Sequence, residues 1–310
     1  MLLLAARCRA PGELRLGVRP FNRNRGSTLP GLLKLVRSIG RRASLAASPR
    51  LLKSAVLVIH RVAPSLVGER ELRLLPLLVE HGRAALDVGM HYGLYSIFLE
   101  DLAGPAHLFG FEPMPDKIPT LRRMFPHSRV HDAALSDLSG RGMISVPYVG
   151  RRLKTARATL ERLPNTLEKA TYTVRTLRLD DLYEAGEIAD VGFIKMDVEG
   201  HEASVMRGAQ RLLAECRPNL VVEIEQRLHA GPIQDVFAAL ARLGYAIYFL
   251  SPRAPAALTP VEEFDLARDQ NMALHGTRMY VANFVCLPVG RAQSIVEAAP
   301  LVLGLRRAGR

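Results

Sequence analysis

The sequence predicts an α/β fold: a mainly parallel sheet with helices on both faces, closed by an antiparallel C-terminal strand. From Val56 onward, compact apolar segments alternate with amphipathic ones, as in a βαβ series. The first such apolar run enters LDVGMHYGLYS, Leu86 to Ser96, where an acid and two glycines join a strand to a helix. In open parallel sheets, ligands sit beyond strand ends of this kind.

In chain order, Gly68 to Gly82 has helical spacing, with Pro76 set either to kink it or to start a second helix. Residues 84–89 read as a strand, 93–104 as a helix, 107–113 as a second strand, 115–126 as a helix and 129–135 as a third strand. The alternation then breaks. Residues 142–149 and 171–179 have β-type alternation and are expected to pair antiparallel across a basic, irregular stretch. It resumes with a strand at 191–198, a helix at 202–216, a strand at 219–226 and a helix at 233–244. Residues 245–250 and 279–288 complete the sheet, the last expected to be antiparallel.

The net charge of +12 would suggest nucleic acid or membrane as a partner until it is located along the chain. Residues 1–55 hold twelve Lys and Arg and one acid, Glu13, whereas residues 56–310 hold 30 basic and 29 acidic residues. Residues 1–55 are therefore expected to form a basic, disordered extension, 56–290 the folded domain and 291–310 a C-terminal tail. No apolar run reaches the roughly 18 residues of a transmembrane helix, so no such segment is expected. Cys8, Cys216 and Cys286 are odd in number and lack a CxxC spacing, which fits a reducing compartment such as the cytoplasm. The basic segment would then offer peripheral contact with a membrane.

Candidate binding residues gather at the strand ends. Asp87, Gly89, His91 and Gly93 lie in the first strand-to-helix connection. Glu112 ends the second strand 23 positions after Gly89, where a nucleotide-binding βαβ unit places the acid that accepts ribose hydroxyls. The glycines follow G-xxx-G rather than G-x-G-x-x-G, and an acid at the strand end would repel a pyrophosphate. A cationic, phosphate-free nucleoside fits better: S-adenosylmethionine carries a sulfonium, an amino group and a ribose diol. Asp132, at the end of the third strand, is a candidate for the exocyclic amine of adenine, with Ala133 and Leu135 as apolar contacts.

Taken together, these segments resemble the FkbM family of S-adenosylmethionine-dependent methyltransferases. The resemblance runs over Leu86 to Leu287. It rests on DVGMHYGLYS, on FEP (Phe111–Pro113), on AALSDLSG (Ala133–Gly140), on TLRLDDL (Thr176–Leu182) and, most specifically, on FIKMDVEGHEASVMRGA (Phe193–Ala209). VVEIE (Val221–Glu225) and NFVCLP (Asn283–Pro288) extend it. The family usually has Ala-Asn where this chain has Met90-His91. The resemblance implies a class I, Rossmann-like methyltransferase sheet and O-methylation of a hydroxyl on a sugar, lipid or secondary metabolite.

Methyl transfer from a sulfonium is an in-line displacement that needs alignment, and a hydroxyl acceptor must also lose its proton. Asp197, Glu199, His201 and Glu202 cluster at the end of the fourth parallel strand, with Asp197 or His201 as the expected proton acceptor and the two glutamates as orienting groups. Acids here also favour the start of the following helix, so Glu199 and Glu202 have a structural reading as well. Their spacing straddles a strand end and a turn, and no metal is expected. Arg151, Arg152, Lys154 and Arg157, in the basic stretch, are candidates for an anionic group on the acceptor. Two rivals remain: an inactive relative, to which Met90-His91 points, and a nucleic-acid-binding module using the basic arm. The chain lacks the motif N/D-P-P-Y/F of amino-group methylation, and no cysteine follows a proline.

Overall fold

The computed structural model of the chain describes residues 49–62, 69–150, 152–153, 155–161 and 168–304. Most of the expected N-terminal extension lies outside these residues. Its last part does not form a loose arm: residues 49–55 belong to helix α1 (Pro49–Val62). This helix is amphipathic, buries Val56, pairs Lys53 with Glu100 and sets the His60 ring edge-on against Phe98 at 4.8 Å. After a 3-10 turn at Arg70–Arg73, Pro76 sits in the first turn of a short second helix, α2 (Leu75–Leu78), so it starts a helix rather than kinking one.

Among the described residues, eight strands form the main sheet, in the order β11-β10-β12-β9-β8-β1-β2-β3. The parallel half consists of β1 (Ala84–Val88), β2 (Leu108–Phe111), β3 (Arg129–His131), β8 (Val191–Met196) and β9 (Asn219–Glu223). All five residues of β1 and all six of β8 are buried, as expected for strands covered on both faces. Beyond β9 comes β12 (Asn283–Pro288), antiparallel to its neighbours β9 and β10 (Tyr245–Phe249), and the two-residue β11 (Thr259–Pro260) edges the sheet. The expected antiparallel closing strand is thus present, inserted between β9 and β10 rather than added outside them.

Alternation along the strands divides the core into two layers. Leu86, Ile194, Met196, Leu220 and Val222 face one cluster, which holds α5 (Leu179–Glu184), α6 (Glu202–Arg207), α7 (Gln210–Cys216) and α8 (Gln234–Arg242). Ala85, Phe193, Val221 and Val285 face the other, with α1, α3 (Leu94–Ala103), α4 (Ile118–Met124) and α9 (Val289–Leu303). Helix α9 falls where a tail is expected. Its buried Ala292, Ile295, Ala299 and Leu303 make it part of the domain.

Two segments differ from the sequence reading. The third strand splits: β3 ends in the main sheet at His131, and β4 (Ala134–Leu135) joins a second sheet ordered β4-β7-β5-β6. There β5 (Gly140–Val149) pairs antiparallel with β7 (Lys169–Leu177), as the alternation of the two segments predicts, and β6 (Arg152–Leu153) flanks β5. The helix expected over 202–216 breaks between α6 and α7. At the break Asp180 N donates to Gly208 O at 2.8 Å, and a Cβ on Gly208 would stand 2.1 Å from Ser136 O, so the second sheet is clamped onto the break. Among the described residues, no helix is long and apolar enough to cross a membrane.

Candidate active site

A cavity opens at the C-terminal ends of β1, β2 and β8, where the main sheet meets the second one. Gly89 and His91 form one wall, Phe111 to Pro113 a second, Ala133 to Leu135 with Ile144 a third, and Asp197 to Glu199 with His201 a fourth. Thr155, Ala156, Ala158 and Leu160 cover it. The cover is tied down by the Ser145–Thr159 bridge and by Lys117, whose Nζ lies 3.5 Å from Thr155 O.

Of the expected binding residues, Gly89, His91 and Glu112 reach the cavity. Gly89 has φ +85°, and its backbone N–H and that of Met90 both donate to Phe111 O. His91 also adopts a left-handed φ of +50°, a conformation that Asn and His tolerate better than most residues. Its backbone N–H donates to Glu112 Oε2 at 2.8 Å, while Met114 N and Lys117 Nζ reach Oε1 at 2.9 and 3.3 Å. Burial raises the Glu112 pKa against the opposing pull of Lys117 and these backbone donors. With four lone-pair sites on a carboxylate and three donors present, acceptor capacity remains toward the cavity.

Three expected binding residues lie elsewhere. Asp87 is buried within β1, beside its register partner Lys195 on β8, and accepts from Ser96 Oγ; burial pushes its pKa up to about 6. Gly93, φ +76°, caps α3, and a Cβ there would meet the Phe125 ring at 2.6 Å, so it serves the strand-to-helix turn. Asp132 is 60% exposed at its side chain, facing Arg122 at 3.8 Å. Its expected role at an adenine edge is corrected by the split of the third strand, which turns Ala133 to Leu135 inward and Asp132 out.

On the fourth wall, Asp197, Glu199 and His201 stand together. Asp197 N donates to Val88 O at 2.9 Å, and burial raises its carboxyl to about 6, with Lys195 opposing. Glu199 adopts a left-handed φ of +52°. Its Oε2 is buried without a hydrogen bond, 4.0 Å from Arg227 Nη2, and burial followed by the Asp197 charge lifts its pKa to about 8. His201 Nε2 lies 2.9 Å from Ser136 Oγ and Nδ1 lies 2.7 Å from Glu161 Oε1.

Glu202 does not belong to this wall. It is buried behind the cavity, accepts from Gly200 N at 3.0 Å and approaches His229 Nε2 at 3.1 Å without hydrogen-bond geometry. Its catalytic assignment is corrected to a structural one: it braces the turn that enters α6. In the basic stretch, Arg151 and Lys154 and the Arg152 side chain lie outside the described residues, and Arg157 is exposed on the outer side of the cover.

Sequence reasoning missed the side chains behind the acids. Lys195 is 2% exposed, donates to Asn283 Oδ1 at 2.9 Å and lies 5.0 Å from the centre of the Tyr95 ring. Burial alone would lower its pKa, but Glu69, Asp197, Glu223 and Asp87 around it raise it. A lysine in the middle of an all-buried parallel strand was the available signal. Ser136 and Glu161 gave none, because they meet His201 only through the second sheet and the cover, and Lys117 reads as an ordinary surface residue until its pairing with Glu112 is seen.

The model of the family described as the methyltransferase FkbM domain matches residues 87–247. The hexuronic acid methyltransferase AglP of Haloferax volcanii is 28% identical over 172 residues, covering 53% of this chain and 64% of that protein. The chain therefore aligns with slightly less than two thirds of that relative's length. Among solved structures, methyltransferase FkbM from Methylobacillus flagellatus KT aligns with a TM-score of 0.44 and 17% identity, over 82% of this chain and 58% of that one.

Proposed function

The chain belongs to the FkbM methyltransferase family, and from that premise we propose that it transfers a methyl group from S-adenosylmethionine to a hydroxyl on a sugar, lipid or secondary metabolite. The observation that carries the cofactor reading is the charge of the cavity. Among the described lining residues, Glu112, Asp197 and Glu199 are acids, and the one lysine, Lys117, is already paired with Glu112. A pyrophosphate would face three acids; a sulfonium and an amino group would be complemented by them. Phe111, Ala133, Ala134, Leu135 and Leu160 supply the apolar surface that an adenine ring requires. A sugar acceptor is favoured by the hexuronic acid methyltransferase relative.

When bound, S-adenosylmethionine supplies a methyl group made electrophilic by its positive sulfur. Glu112 would accept ribose hydroxyls with the lone pairs left by its present donors, and Asp197 and Glu199 would hold the positive end. His201 would take the proton that the acceptor hydroxyl gives up as it receives the methyl group. His201 is preferred to Asp197 because both its ring nitrogens are hydrogen-bonded in a way that also suits the protonated ring.

Calorimetric titration with S-adenosylhomocysteine tests the reading, with NADH as the comparison ligand. The expected result is saturable binding of the homocysteine compound alone, weakened at least tenfold by Glu112→Ala. Preference for NADH, or no binding by the folded protein, would overturn it.

A further inference from the structure

We propose that Glu161, reaching in from the segment between β6 and β7, is a positioning residue that fixes the tautomer of His201. The inference rests on the reading of His201 as the proton acceptor. Glu161 Oε1 lies 2.7 Å from Nδ1 of His201, and Ser136 Oγ lies 2.9 Å from Nε2. An ionised carboxylate only accepts, so Nδ1 must carry the hydrogen, and Nε2 becomes the nitrogen that gains or loses a proton.

The other end of the chain is arranged for that exchange. Ser136 has a second acceptor, Asp137 Oδ1 at 3.1 Å, and Asp137 is itself held by Arg207 Nη2 at 3.0 Å. With the ring neutral, the Ser136 hydroxyl donates to Nε2. With the ring protonated, Nε2–H donates to Ser136 Oγ and the hydroxyl hydrogen turns to Asp137. An acceptor hydroxyl entering along the His201 wall can displace Ser136 from Nε2 without orphaning it, because Asp137 remains. As the acceptor oxygen bonds to the methyl carbon and the donor's carbon–sulfur bond gives its electron pair to sulfur, the acceptor O–H bond breaks and its proton completes an Nε2–H bond.

Serine, histidine and a carboxylate in this order also describe an activated nucleophile. Ser136 is buried and does not line the cavity, whereas His201 does. The hydroxyl therefore serves the imidazole and does not attack a ligand. Glu161 follows Leu160 in the cover whose Thr155, Ala156, Ala158 and Leu160 face the cavity, so the same contact ties the cover to the turn bearing Asp197 and Glu199.

Nitrogen-15 NMR of the full chain tests this, with His201→Gln identifying the His201 ring signals. In the wild type, the neutral ring is expected wholly as the Nδ1–H form. Glu161→Ala should lose that form in favour of Nε2–H. Glu161→Gln, whose amide can accept or donate, should give a mixture of both while keeping the shape and the fold. A purely structural Glu161 would leave the tautomer alone, so the same ring state in the wild type and the Gln variant would overturn the proposal, as would an Nε2–H wild type. Titration of the same samples with S-adenosylhomocysteine separates the two readings: binding with an unmoved tautomer overturns only the role of Glu161, and a moved tautomer without binding overturns only methyl transfer.

Discussion

A Cβ built on Gly89 would stand 1.9 Å from the carbonyl oxygen of Asp197. The glycine that leads out of β1 is thus required by the neighbouring strand end as well as by any ligand, since Asp197 N is itself bonded to Val88 O. Gly89→Ala must separate β1 from β8 at the cavity floor and also occupy φ +85°. We expect a loss of about 3 kcal/mol or more in denaturant unfolding. Gly186→Ala, at φ +71° with nothing within 4 Å, should cost only the conformational strain of about 1–2 kcal/mol.

Glu199 makes stability depend on pH in a defined direction. Its pKa is raised from the ordinary 4.5 to about 8, so across that interval the folded chain holds a proton that the unfolded chain has lost. The stabilisation is complete below about pH 4.5 and is lost as pH rises through about 8. Melting temperature should fall over this window, and Glu199→Gln should flatten the fall. Ligand binding should run the other way: a sulfonium favours the ionised carboxylate, so affinity for S-adenosylmethionine should rise toward pH 8, more steeply than that for uncharged-sulfur S-adenosylhomocysteine.

Lys195 is the buried cation among Asp87, Asp197, Glu69 and Glu223. Lys195→Met removes it and leaves those acids facing one another. Breaking a buried charge arrangement in this way typically costs about 3–5 kcal/mol. Burial raises Asp87 and Asp197 to about 6 even with Lys195 pulling them down, so without the lysine the penalty should be smaller at pH 5, where the neutral acids prevail, than at pH 8. Unfolding curves at the two pH values check this.

Glu202 should behave as a structural residue. Glu202→Gln keeps an oxygen for Gly200 N and should cost about 1 kcal/mol while leaving S-adenosylhomocysteine affinity within twofold. Glu202→Ala leaves that N–H without its partner and should cost about 1–3 kcal/mol. A large loss of affinity in the Gln variant, at unchanged stability, would return Glu202 to the site.

The parallel half of the sheet was legible because AALDV, LFGF and VGFIKM are short apolar runs, each followed by a glycine- or acid-bearing turn and a helical segment, as buried parallel strands in a βαβ series are. The site was legible where it sits on those strand ends: Gly89, Glu112 and Asp197 are fixed by β1, β2 and β8. It failed where backbone direction changes within one or two residues. Ala133 crosses from one sheet to the other, which reverses the facing of Asp132, and no periodicity in RVHDAAL marks the crossing. Helix α9 was missed because its apolar face is spread over Ala292, Ile295, Ala299 and Leu303, with Pro300 inside it. Glu161 and Ser136 were missed because they meet His201 from 40 and 65 positions away.

The insertion of β12 between β9 and β10 has a consequence for how the chain is made. A ribosome will have emitted β10 long before residue 283, so the nascent sheet must keep a vacant slot between two strands that do not pair with each other. Until the slot is filled, both flanking edges present unpaired N–H and C=O groups, the template on which foreign strands add. The stretch matched by the family model stops at residue 247 and excludes β12. A fragment ending at residue 250 would keep β1 to β10 but leave that gap open permanently, and should precipitate under conditions that hold the full chain in solution.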